Sequence, residues 1–129
     1  MTGTTAVLAD PTPWCARFLA PMNAHDPDVA ASFYTEDGAW EFTAGPDPWG
    51  TNHAGRPAIR QAIADICREV PDIHYELLSA QAGPGHIVME VLVTGSTRAG
   101  ARLRYHACDV VTLAGELVAA KRSYRKVVS

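Results

Sequence analysis

Hydrophobic positions follow a helical period up to about residue 70 and a period of two after it. Trp14, Phe18, Leu19 and Met22 share one helical face behind Thr12-Pro13, which reads as a capping residue with proline at the first helical position. Pro21 removes an intrahelical hydrogen bond, so this helix should kink or end close to Asn23. Asp26-Pro27 repeats the start signal and opens a short helix carrying Val29, Phe33 and Tyr34, which Glu36-Asp37-Gly38 stops. Residues 39–43 (AWEFT) have the aromatic content of a strand, and residues 44–55 form a Pro/Gly-rich loop. Pro57 starts the clearest helix, with Ile59, Ile63, Ile66, Cys67 and Val70 on one face. Residues 73–81, 86–96, 101–113 and 116–127 then read as four strands, joined by turns at 83–85, 97–100 and 114–115.

Three helices with a strand among them, followed by a four-strand meander, predict an α+β domain. A curved antiparallel sheet should hold the helices on its concave side. With 129 residues, 47% of them hydrophobic, the chain has room for one core. Residues 12–129 are expected to form that domain, and residues 1–11 a flexible N-terminus.

Charge narrows the partners. Eleven Lys plus Arg against fourteen Asp plus Glu give a net charge of -3, with no electrostatic footprint for nucleic acid or an anionic membrane. The longest stretch free of charged residues, 77–89, is too short to span a bilayer. The opening MTGTTAVLADPTPW lacks the basic and long apolar regions of a signal peptide, so a soluble, cytoplasmic protein is expected. Cys15, Cys67 and Cys108 are far apart and in no ligand spacing, which makes them small buried hydrophobes. There is no P-loop and no GxGxxG, so neither a cofactor nor a metal is expected.

The turns predict which residues face each other. A two-residue loop at Ala114-Gly115 pairs Asp109 with Ala120 and Ala107 with Arg122. Symmetric closure around residues 97–100 sets Glu90 opposite Ala107. One face then carries Val88, Glu90, Leu92, Leu103, Tyr105, Asp109, Val111, Val118, Arg122 and Tyr124. A one-residue slip in either turn would exchange faces. This more apolar face should be the core side, and Glu90, Asp109 and Arg122 interrupt it. Buried charges need partners, so the three residues form either a closed ion-pair cluster or a polar patch at the floor of an apolar pocket. Tyr105 and Tyr124 should face each other across the last hairpin. In the long loop, His53 suits proton transfer near neutral pH, and Trp49 suits covering a pocket or a partner.

Three segments carry a family resemblance: MNAHDPDVAASFYTEDGAWEF, HAGRPAIRQAI and YHACDVVTLAGELVAAKRSY. Together with the order of elements, they resemble the SnoaL-like branch of the nuclear transport factor 2-like superfamily, from about Trp14 to Val127. The resemblance implies the cone-shaped, cystatin-like fold of that superfamily. It hosts polyketide cyclases, ketosteroid isomerase, limonene-type epoxide hydrolases, scytalone-type dehydratases and binding domains. Where ketosteroid isomerase has its base Asp this chain has Phe42, and where it has an oxyanion-hole Tyr this chain has Phe18. The position of its protonated Asp is kept as Asp109. Arg122 takes the place of the cyclases' last-strand Asp. Glu90 and Leu92 stand where the epoxide hydrolases have their Arg and second Asp. The dehydratases' pocket His points to His53.

These residues imply a small cofactor-independent enzyme doing acid/base chemistry on a hydrophobic, polyketide- or terpenoid-like molecule. Cyclisation, isomerisation, dehydration and hydrolysis all fall within that description. Asp109, Arg122, Glu90 and His53 are the candidate catalytic residues. Trp14, Phe18, Trp40, Phe42, Trp49, Leu92, Tyr105 and Tyr124 are the candidate substrate-binding residues. The alternative is a non-catalytic small-molecule-binding or interaction module of the same fold. Met89, Val91, Val93 and Val110, expected on the outer sheet face among arginines, imply with the resemblance a homodimer through that face.

Overall fold

Proline placement sets the helices. The computed structural model describes residues 4–129, and its elements run α1 (Thr4–Ala9), α2 (Thr12–Asn23), α3 (Pro27–Ala31), β1 (Tyr34–Glu41), β2 (Asn52–Ala54) and α4 (Arg56–Glu69). The strands β3 (His74–Gly83), β4 (His86–Ser96), β5 (Arg102–Ala114) and β6 (Leu117–Arg125) follow. Thr12 opens α2 from inside, with Pro11 at the cap and the Thr12 N–H donating to Asp10 Oδ1. α2 ends at Asn23, as Pro21 requires. Asp26 caps α3, its Oδ1 accepting from the Val29 N–H at 3.2 Å. Helix α1 occupies part of the segment expected to be a flexible N-terminus, and Val7 within it is buried. Residues 1–3 lie outside the described residues.

The sheet is curved, open and six-stranded, in the order β2-β1-β6-β5-β4-β3. Its pairs are antiparallel except for β1 and β6, which run parallel and set Trp40 beside Lys121. The concave face and the helices enclose the core. Trp14 and Phe18 of α2 stack with centroids 5.1 Å apart, Phe33 meets both edge-on, and Ile59 and Ile63 of α4 are fully buried.

Three further expectations change. Asn52–Ala54, within the segment expected to be a loop, forms β2 because it pairs antiparallel with β1, Trp40 opposite His53. Tyr34 begins a strand instead of ending a helix, because α3 stops at Ala31 and Glu36-Asp37-Gly38 lies within β1. The larger change is in register. The loop before β5 holds five residues, closed by the Thr97 N–H to Ala101 O and the Gly100 N–H to Thr97 O, both 2.9 Å. Val91 is therefore opposite Ala107 and Met89 opposite Asp109. Met89, Val91 and Val93 enter the core in place of Val88, Glu90 and Leu92. The last turn is Gly115-Glu116, with Gly115 at φ +65°, and a bulge follows it, leaving Ala119 unpaired between Val118 and Ala120. Asp109 thus lies opposite Ser123, and Val111 opposite Lys121.

Candidate functional site

The concave face and the C-terminal half of α4 leave a cavity of about 240 Å3. Its aliphatic wall comes from Ile66 and Val70 at the end of α4, Ile73 after it, and Val91 and Val93 of β4. Trp40, Phe42, Tyr75 and Tyr105 supply aromatic surface, and Asp109, Lys121 and Ser123 supply the polar groups of the β5–β6 floor. This is the composition of a small-molecule site: mostly apolar, with a few convergent polar atoms.

Period-two patterning brings Asp109 inward on β5, and the bulge brings Lys121 and Ser123 inward on β6. Lys121 Nζ lies 3.9 Å from Asp109 Oδ2, and the two residues are 4% and 7% exposed. At that distance they are an ion pair without a direct hydrogen bond. The ammonium also sits 3.8 Å from the Trp40 ring centroid and 5.2 Å from that of Phe18. The Trp40 indole N–H donates to Ser123 Oγ at 2.9 Å, fixing the ring under the ammonium. Burial pushes the Lys121 pKa down, and the Asp109 charge opposes that shift.

Three tyrosines surround the pair. Tyr34, 1% exposed, holds a buried hydroxyl with no hydrogen-bond partner. Burial pushes its pKa well up, and the charge of Asp109 adds to the effect. Burial likewise raises Tyr75. At Tyr105 burial also raises the pKa, against the Arg125 guanidinium stacked 3.9 Å from its ring centroid. All three therefore stand as neutral phenols, donors and not bases.

The family model of the SnoaL-like domain matches residues 15–121. The chain belongs to the SnoaL-like family. No curated protein matches it. Among solved structures, it is similar to a protein of ketosteroid isomerase-like fold from Catenulispora acidiphila in complex with trimethylamine. There the TM-score is 0.78 at 16% identity over 86% of this chain and 83% of the other. The epoxide hydrolase/cyclase-like enzyme SalBIII, of pyran ring formation in the polyether salinomycin, gives 0.76 at 20% identity over 90% of each chain. A cystatin-fold protein from Novosphingobium aromaticivorans gives 0.74 at 21% identity over 88% of this chain and 96% of the other. At these identities the likeness establishes the shared fold.

In this SnoaL-like domain the expected site residues separate. Asp109, Trp40, Phe42 and Tyr105 line the cavity, and Phe18 lies below it within reach of Lys121. Trp14 packs deeper in the core, donating its indole N–H to Glu116 O. Glu90 stands on the outer face, accepting from the Ser79 hydroxyl at 2.7 Å, because the five-residue loop shifts β4 by one position. Leu92 turns outward with it. Arg122 and Tyr124 face outward because the bulge shifts β6, so Tyr124 meets Cys108 instead of Tyr105. Neither a closed Glu90–Asp109–Arg122 cluster nor an open patch of those three exists in this fold.

Trp49 is 52% exposed and lines a smaller cleft of about 100 Å3 with Arg122 and Tyr124, which adjoins the cavity through Phe42, Thr43 and Ser123. His53 on β2 packs on Phe42 with centroids 4.1 Å apart, its buried Nε2 without a hydrogen-bond partner. Burial lowers its pKa, against an opposing effect of Asp65.

Lys121, Ser123 and Tyr75 are site residues that the sequence reading did not single out. A signal for Tyr75, which pairs with Val93, was present: Met89, Val91 and Val93 form an uncharged inward set, whereas the alternative set contains Glu90. Lys121 and Ser123 depend on the bulge in β6 and had none. Choosing the uncharged set corrects β4. Tyr34 carried no such signal, because its strand follows three residues after a helix end. No helix among the described residues is long and apolar enough to cross a membrane.

Proposed function

We propose that this SnoaL-like domain is a cofactor-independent enzyme performing acid/base chemistry on a hydrophobic polyketide- or terpenoid-like molecule. The observation carrying this reading is the buried Asp109–Lys121 pair at the floor of an apolar cavity. A carboxylate and an ammonium held at 3.9 Å can donate and receive a proton within one bound substrate, with little competing water. Asp109 acts on the proton, Lys121 stabilises developing negative charge, and Trp40, Phe42 and Tyr105 hold the apolar body. The fold's use by an epoxide hydrolase/cyclase-like enzyme supports cyclisation or hydrolysis as the reaction type.

Turnover of aromatic polyketones, cyclic enones and terpenoid epoxides, followed by mass spectrometry, tests the reading. At least one compound should be converted, and Asp109→Asn should lower its kcat by about 100-fold or more. Equal turnover by Asp109→Asn would overturn the assignment. Binding without conversion across the panel would favour the second reading, a ligand carrier. The cavity volume supports that alternative, since 240 Å3 lies under the roughly 300 Å3 of typical small-molecule sites.

The proposal includes a homodimer formed through the outer sheet face, where Leu78 and Tyr124 are exposed at 43% and 57%. Light scattering at micromolar concentration should return twice the mass of one chain. A monomer would exclude this arrangement.

A further inference from the structure

The choice of cation at the cavity floor is unusual within this chain. Of its eleven cationic residues nine are arginines and two are lysines, and one of those two is buried against the Asp109 carboxylate. Arginine holds its charge under all ordinary conditions, whereas a buried lysine can release a proton and become a nucleophile. A lysine kept only to neutralise Asp109 would hydrogen-bond to it at about 2.7–2.9 Å, the usual length for an ammonium–carboxylate contact. The observed 3.9 Å lies beyond that range, and Trp40 and Phe18 occupy other sides of the ammonium. The nitrogen is held in place without being consumed by its neighbours.

We infer that Lys121 condenses with the carbonyl group of an apolar aldehyde or ketone, forming a Schiff base inside the cavity. This rests on the reading of the cavity as a ligand-binding acid/base site and adds its substrate class. Lys121 first yields a proton to Asp109, whose carboxylate is the adjacent acceptor. The free amine attacks the carbonyl carbon; a C–N bond forms, and the carbonyl π electrons move to oxygen, which takes up the amine's proton. Asp109 then returns its proton to the carbinolamine oxygen. The C–O bond breaks, water leaves, and the nitrogen lone pair closes the C=N bond. The sum is one carbonyl compound plus the Lys121 ammonium giving a protonated imine plus water, with no oxidant or reductant. The imine acidifies the neighbouring C–H, and the carboxylate of Asp109 is positioned to remove that proton, which supplies the enamine needed for isomerisation or ring closure. Burial of the ammonium, which disfavours its charge, acts in the same direction.

The test incubates the full chain with 2-naphthaldehyde and sodium cyanoborohydride, then maps adducts by mass spectrometry. 2-Naphthylmethanol, which cannot form an imine, reports cavity binding through tryptophan fluorescence. Wild type should gain one arylmethyl group on Lys121, and Lys126→Arg should behave the same. Lys121→Arg should lose that adduct while still binding the alcohol, and its melting curve shows whether it folds. Lys121→Met provides a second, uncharged variant should the first unfold. If the alcohol binds and wild type gains no adduct at Lys121, the Schiff base is overturned and the binding site stands. If adducts form equally at Lys126 and the N-terminal amine, labelling is nonspecific and the inference also fails. If neither compound binds, both the inference and the reading of the cavity fall together.

Discussion

Lys121 and Asp109 are diagonal neighbours on adjacent strands, their charged atoms 3.9 Å apart in the core of the domain. Each is the other's compensation for leaving water. Removing one leaves a buried charge alone, which is more damaging than removing both.

Asp109→Asn and Lys121→Met should each cost about 3 kcal/mol in urea denaturation, and the double change Lys121→Met/Asp109→Leu should recover most of the loss. Arg122→Ala and Glu90→Gln, on the outer face, should stay within about 0.5 kcal/mol of wild type. A larger loss in the outer pair than in the inner pair would contradict the register.

Tyr34→Phe should stabilise the domain by about 1 kcal/mol at neutral pH. It removes a buried hydroxyl that has no partner and leaves the ring against Phe18. Loss of stability on this change, measured by thermal or urea unfolding, would mean that the hydroxyl is satisfied.

Stability should fall on the alkaline side. Burial pushes the Cys15 thiol up to about 12 from 9.0, so the unfolded chain releases a proton from about pH 9 that the folded chain keeps. Tyr34 adds the same effect above its ordinary value of 10.0. Lys121 works oppositely: its lowered pKa makes stability rise with pH up to 10.5, the ordinary lysine value. One amine is outweighed by the thiol and phenols, so urea midpoints should decline between pH 9 and 11. The Cys15 share by pH 11 is roughly 2–3 kcal/mol. In Cys15→Ala the decline should be shallower; an unchanged slope would remove the thiol from the explanation.

Gly95→Ala should disturb the cavity from a distance. A Cβ at Gly95 would sit 2.6 Å from Val70 Cγ1 and 3.2 Å from Ile73 Cα, and both residues line the cavity wall. The crowding should cost about 1–3 kcal/mol and weaken 2-naphthylmethanol binding. Unchanged stability and affinity would show that the wall yields freely.

The longer helices and strands were legible because their periods are local, whereas the six-residue α1 and the three-residue β2 are too short to show one. The face of α4 and the inward position of Asp109 follow from spacing within single elements. What spacing cannot carry is the phase between strands, which depends on turn length and on a bulge. The five-residue loop before β5 and the unpaired Ala119 each reverse one strand, so Glu90 and Arg122 exchanged places with Val91 and Lys121. The aromatic wall does not depend on that phase: Trp40 and Phe42 belong to the β1 region and Tyr105 to β5, which neither the loop nor the bulge reverses.

The bulge at Ala119 also determines how relatives can be compared. Straightening β6 from the Leu113–Val118 pair would bring Arg122 opposite Asp109 and turn Lys121 out, with every amino acid unchanged. Matching relatives column by column along this strand therefore misassigns the chemistry of any that lack the irregularity. A relative of equal length with a straight strand presents its residue at position 122 to the cavity. One shorter by the bulged residue still presents its counterpart of Lys121. Gain or loss of a single codon here is thus a silent-looking event, or a change of catalyst, according to how the backbone absorbs it.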